Sequence, residues 1–149
     1  MRTMKKMLAG AVALTMALTM NVAVFAQETP TYTDESSVTI TKKYVALNGG
    51  TSPAETFDFN VTSSQVTDGE ATSAPALTVG DATFCDGGAT QEGGTASIQI
   101  TLPEYSRVGV YEYTLEEVAG DTAGVEYDES DVVIKVTVIN QGGELVRVV

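Results

Sequence analysis

The chain has 149 residues, with 20 Asp and Glu against 8 Lys and Arg, no His, and a net charge of −12 at pH 7. That charge repels nucleic acid and anionic lipid, and without imidazole a zinc site or a Ser-His-Asp site lacks its usual ligand or base. The acidic residues are scattered singly, with no Asp-x-Asp-x-Asp loop and distal Glu to suggest calcium, so no metal and no cofactor are expected.

Arg2, Lys5 and Lys6 open the chain. An apolar run from Met7 to Phe25 follows, broken only by Gly10, Thr15, Thr19 and Asn21, and it ends at Val24-Phe25-Ala26. A basic start, an apolar middle and a small terminal residue mark residues 1–26 as a secretory signal peptide. The run approaches the roughly 20 residues that span a bilayer, so an uncleaved anchor is the alternative. The cleavage-like end and the polar stretch Gln27–Ser37 favour removal. No Cys lies near the cleavage point, which argues against a lipoprotein, and no second run of spanning length gives a reason for membrane insertion after cleavage. Removal leaves about 123 residues, close to one ordinary domain. Because the signal holds three basic and no acidic side chains, five basic face 20 acidic ones, a net charge of −15.

Residues 27–36 read as a polar N-terminal segment and residues 37–149 as one all-β domain. No helical period follows the signal; short β-rich runs alternate with Gly, Asp, Asn and Ser turns. Ser36–Leu47 is the first predicted strand, and Asn48-Gly-Gly50 turns the chain. Thr56–Thr62 is the second, with Phe57, Phe59 and Val61 on one face. Ala76–Phe84 is a weaker strand that Gly80 bends. Cys85–Gly94 is turn material. Ala96, Ile98, Ile100 and Leu102 then alternate with polar residues, as do Tyr111, Tyr113 and Leu115, while Val132, Ile134, Val136 and Val138 alternate with Val133, Lys135 and Thr137. Asn140–Gly143 turns the chain into Glu144–Val149. A period of two puts one face of each strand into a shared core.

Two residues break that order. Lys42 shares its parity with Val38 and Ile40, so Lys42 points inward and Lys43 outward. Glu117 continues the inward series Tyr111, Tyr113, Leu115, while Glu116 faces out. Burying either charge alone costs several kcal/mol, so an inward pair needs a reason. The alternative is that both, being late in their strands, reach water at fraying ends. Cys85 is the only cysteine, so no disulfide within the domain can staple it; it is either an incidental small residue or a thiol for an intermolecular bond. Asn60-Val-Thr62 matches a glycosylation triplet and is read as chance.

Taken together, Val38-Thr-Ile-Thr-Lys42, Glu55-Thr-Phe-Asp-Phe59, Gly109-Val-Tyr-Glu-Tyr-Thr-Leu-Glu-Glu117, Gly124-Val-Glu-Tyr-Asp128 and Val132–Val138 resemble the backbone-pilin isopeptide domain family of Gram-positive, streptococcal-type bacteria, over about Ser37–Val149. The resemblance implies an immunoglobulin-like antiparallel β-sandwich that stacks end to end into a pilus shaft. It also implies an internal isopeptide bond between a Lys on the first strand and an Asn on the last, assisted by a Glu. Lys42 matches the nucleophile and Glu117 the catalytic proton shuttle. The chemistry is sound: burial disfavours both charges, so the pair can rest as neutral amine and carboxylic acid, and the amine can attack a carboxamide that the acid polarises.

The sequence departs from that pattern at its end. The Asn of the family lies on a strand after the hairpin that begins at Asn140, so the sandwich is expected to lack its last strand, and with it the sorting signal. Asn48 lies in a turn, Asn60 points outward and Asn140 belongs to a turn, so no Asn partner is assigned. Truncation, or a strand donated by another chain, would account for the gap, and the open edge would invite pairing. The function expected is a structural shaft or stalk domain at the cell surface or wall, not an enzyme. Its expected partners are other pilin subunits or wall components, joined through a sortase. The alternative is a secreted adhesin that binds a ligand through the loops Asn48–Ala54 and Cys85–Thr95, which lack the aromatic anchors of binding hot spots.

Overall fold

In the computed structural model, residues 29–47 and 50–149 are described. The signal residues 1–26 and the turn residue Asn48 lie outside them. Among the described residues nine strands follow one another: β1 (Ser37–Tyr44), β2 (Glu55–Phe57), β3 (Phe59–Gly69), β4 (Thr78–Val79), β5 (Ala82–Phe84), β6 (Gly94–Thr101), β7 (Gly109–Glu117), β8 (Val132–Gln141) and β9 (Glu144–Val148). They make a three-stranded sheet ordered β1-β6-β4, a four-stranded sheet ordered β3-β7-β8-β9 and a small β2-β5 ribbon. Every strand pair is antiparallel.

The alternating runs form strands because each has one apolar face to bury. Ile98 and Ile100 of β6, Tyr111, Tyr113 and Leu115 of β7, and Ile134, Val136 and Val138 of β8 all lie in one buried cluster. Residues from both larger sheets thus share a core, and a large side chain fully buried there stabilises the fold by about 1.5–3 kcal/mol. Their outward neighbours Ser97, Gln99 and Val133 are exposed. Gly142 and Gly143 form the two-residue link between β8 and β9, with φ of 67° and 96°. Two successive positive φ angles make the turn that suits a twisted hairpin, and glycine adopts them without steric cost.

Three expectations need correction. The predicted strand Thr56–Thr62 is two strands: β2 pairs with β5, and after Asp58 the chain switches to pair with β7. Phe57 is fully buried, but Val61, which pairs with the buried Leu115, is itself 37 % exposed, and the register shifts just beyond it, between Val61 and Ser63. The same strand runs on to Gly69, through Ser63–Asp68, which is too polar to read as a strand. Finally, Ala76–Phe84 divides at Gly80: β4 pairs with β6 and β5 with β2, while Gly80 donates its N–H to the Gln99 carbonyl at 2.9 Å.

The polar N-terminal segment is structured alongside β9. Glu35 donates its N–H to the Arg147 carbonyl at 3.0 Å. Arg147 returns its own N–H to Asp34 Oδ1 at 2.8 Å, and its guanidinium grips the same carboxylate through Nε at 2.9 Å and Nη2 at 2.5 Å. This edge is therefore covered. β1, in contrast, has β6 on one side and no strand on the other among the described residues.

Candidate functional site

Lys42 stands near the end of β1. Its register partner on β6 is Ala96, a small residue that leaves room above the sheet. Lys42 shares the inner face with Val38 and Ile40, whereas Lys43 is exposed. Glu117 is the last residue of β7, in the other large sheet. Its pairing partner is Phe59, and the chain is pinned just after it by Val118, whose N–H donates to the Asp58 carbonyl at 2.8 Å.

The two inward charges meet. Lys42 Nζ lies 2.5 Å from Glu117 Oε2, with side-chain exposures of 12 % and 2 %. Fraying into water, the alternative for both, does not occur. Beneath the nitrogen is the ring of Phe57, its centroid 4.3 Å away. That ring is fixed in turn by edge contacts with Tyr44 at 5.1 Å and Phe84 at 5.8 Å between centroids. The ring face and the carboxylate both favour an ammonium, while removal from water disfavours both charges.

Glu117 has a second partner that the sequence did not disclose. Asp128 donates its backbone N–H to Oε1 at 3.0 Å. The Asp128 carboxylate accepts the Ser130 N–H at 2.8 Å. Hydrogen bonding from Ser130, with the positive charge of Lys42 a smaller influence, holds that carboxyl below its ordinary range. Tyr127, one residue earlier, packs its ring 5.7 Å from that of Phe57. The series Gly124-Val-Glu-Tyr-Asp128 was visible in the sequence, but nothing in its spacing said that it folds back onto Glu117.

A cavity of about 480 Å³ is bordered by Lys42, Tyr44, Ser52, Pro53, Phe57 and Val125, leaving room for a further side chain beside the lysine. The described asparagines do not fill it. Asn60 is exposed on β3 beside Glu116, and Asn140 is exposed with its Oδ1 accepting the Gly143 N–H at 3.0 Å. Cys85 is exposed and unbonded. The two loops considered for ligand binding are tied to each other: Ala54 donates to Asp86 Oδ1 at 2.8 Å, and Gly87 to the Ser52 carbonyl at 2.8 Å.

A protein-family model described as the Spy0128-like isopeptide containing domain (FctA) matches residues 38–149, and the chain belongs to this family. No curated protein and no solved structure matches it.

Proposed function

We propose that this member of the Spy0128-like isopeptide containing domain family is a structural unit of a Gram-positive pilus shaft or surface stalk. In this reading Lys42, assisted by Glu117, forms an isopeptide bond with an Asn carried on a strand beside β1. The observation that carries the proposal is the contact of Lys42 Nζ with Glu117 Oε2, almost shut off from water, beneath a strand that has a neighbour on only one side among the described residues. An added strand would take main-chain hydrogen bonds from β1 and turn alternate side chains inward. One of these could bring a carboxamide to the cavity at Lys42.

The reaction balances without a cofactor. With the shared proton on Glu117, the neutral Lys42 nitrogen attacks the carboxamide carbon while the acid donates a hydrogen bond to its oxygen. Glu117 takes a proton from the attacking nitrogen and delivers it to the leaving one. A new C–N bond replaces the old, and ammonia departs. Each site acts once, so the domain processes itself and turns over no substrate. The product is a covalent staple in a chain whose single Cys excludes an internal disulfide.

The same reading places the protein at the cell surface or wall after its signal is removed, with neighbouring pilin subunits or wall components as partners and a sortase as the joining enzyme. Immunoblots of wall extracts boiled in detergent, together with immunogold labelling of intact cells, test this. A ladder of high-mass species and labelled surface fibres are expected. Monomer alone, released into the medium, would favour the secreted ligand-binding alternative.

A further inference from the structure

We propose that the segment Gly124–Asp128 is the positioning element of the Lys42–Glu117 pair: the Asp128 backbone N–H occupies Oε1 of Glu117 and so confines the exchangeable proton to Oε2, the oxygen facing Lys42. A carboxylic acid can carry its proton on either oxygen. An oxygen that already accepts an N–H at 3.0 Å cannot carry an acidic proton along the same line without setting two donors against each other. The other oxygen, 2.5 Å from the amine, is then the one left free to exchange a proton with Lys42, on the side where it is used. The role in bond formation rests on the isopeptide reading; the geometry does not.

The segment is built to hold that amide in place. Tyr127 fills the space beside Phe57, the ring under Lys42. Its hydroxyl is buried and has no hydrogen-bond partner among the described residues, so Tyr127 holds by packing. Gly120, three residues beyond Glu117, lies against that ring; a Cβ there would overlap the hydroxyl. The chain leaving β7 and the segment returning to it are thereby locked together on both sides of the carboxylate. Charged groups around Glu117 are Lys42 from β1 and, along the adjoining cleft, Glu116, Asp128 and Glu129.

Two measurements on the full chain test this. In NMR spectra, a coupling across the hydrogen bond should link the Asp128 amide nitrogen to the Glu117 carboxyl carbon. In the producing cell, the rate at which the Lys42 cross-link appears should fall about fivefold or more in Asp128→Pro, which lacks the N–H, since losing one hydrogen bond to a neutral acid corresponds to roughly that factor. Asp128→Ala keeps the N–H while losing the bond to Ser130 and should cross-link faster than Asp128→Pro, and Tyr113→Phe, outside the site, should stay within about twofold of the unaltered chain. An Asp128 amide that ignores Glu117, or an Asp128→Pro chain that cross-links as fast as Asp128→Ala, overturns the positioning role. Absence of any cross-link in the unaltered chain overturns the isopeptide reading instead, and the coupling across the hydrogen bond still decides the geometry.

Discussion

Lys42 Nζ and Glu117 Oε2 lie 2.5 Å apart although 75 residues separate them in sequence. The carboxylate is almost fully buried and the amine nearly so. Neither charge could be accommodated there alone. Removing one member of a buried pair typically costs about 3–5 kcal/mol, whereas replacing both with apolar groups is often neutral.

The first expectation concerns this coupling. In chains without the cross-link, Lys42→Met should lower unfolding stability by about 3 kcal/mol, and Glu117→Leu by a similar amount. The double variant should lose much less than their sum. Urea unfolding followed by circular dichroism gives all three values. Strictly additive losses would mean that the pair is not coupled.

Phe57 is the floor of the site and part of the core. Fully buried and wedged between Tyr44 and Phe84, it should cost about 3–5 kcal/mol when truncated to Ala. Phe57→Leu should cost less in stability, yet it removes the ring face from Lys42. A Phe57→Leu chain that folds but cross-links more slowly would separate the two contributions; mass spectrometry of protein recovered at successive times supplies that rate.

The inward pointing of Lys42 and Glu117 was legible because strand parity leaves no choice once Val38, Ile40, Tyr113 and Leu115 must be buried. The long cores of β6, β7 and β8 were legible for the same reason. Ser63–Asp68 was not, because its residues are mostly polar and exposed and it is a strand only through its pairing with β7. The sheet switches at Asp58 and Gly80 were hidden as well: alternation says which face is buried but not which neighbour supplies the hydrogen bonds. The amide of Asp128 was invisible in principle, since every residue but proline carries one.

The clamp of Arg147 on Asp34 joins the polar N-terminal segment to the last strand, and it should give the fold an acid-sensitive component. Hydrogen bonds from the Arg147 side chain and backbone hold the Asp34 carboxyl down from 3.8 to about 2. A depressed carboxylate contributes stability that is fully present above its ordinary value and is lost as pH falls from there toward 2. Because the Asp34 side chain is 40 % exposed, screening limits this to about 1 kcal/mol or less. Unfolding at pH 6 and pH 2 should show Asp34→Asn less stable than the unaltered chain at the higher pH, with the gap closing at the lower. A gap of equal size at both would remove the carboxylate from the explanation.

The tyrosine pair Tyr105 and Tyr113 is a purely structural device. Tyr113 donates its hydroxyl to the Pro75 carbonyl at 2.9 Å and lies 3.0 Å from the Tyr105 hydroxyl. Burial pushes both phenols well up from their ordinary range. Tyr113→Phe leaves a carbonyl and a hydroxyl short of a partner and should cost about 1–3 kcal/mol. Thermal unfolding measures it, and the cross-linking rate should not change.

Tryptic mass spectrometry of the protein recovered from its native cell surface tests the central claim most directly. The expected result is a peptide containing Lys42 joined to an Asn-bearing peptide, lighter than the sum of the two by one ammonia, and absent from Lys42→Ala and Glu117→Ala chains. Free Lys42 in every molecule recovered, with no joined species in the unaltered protein, would contradict it.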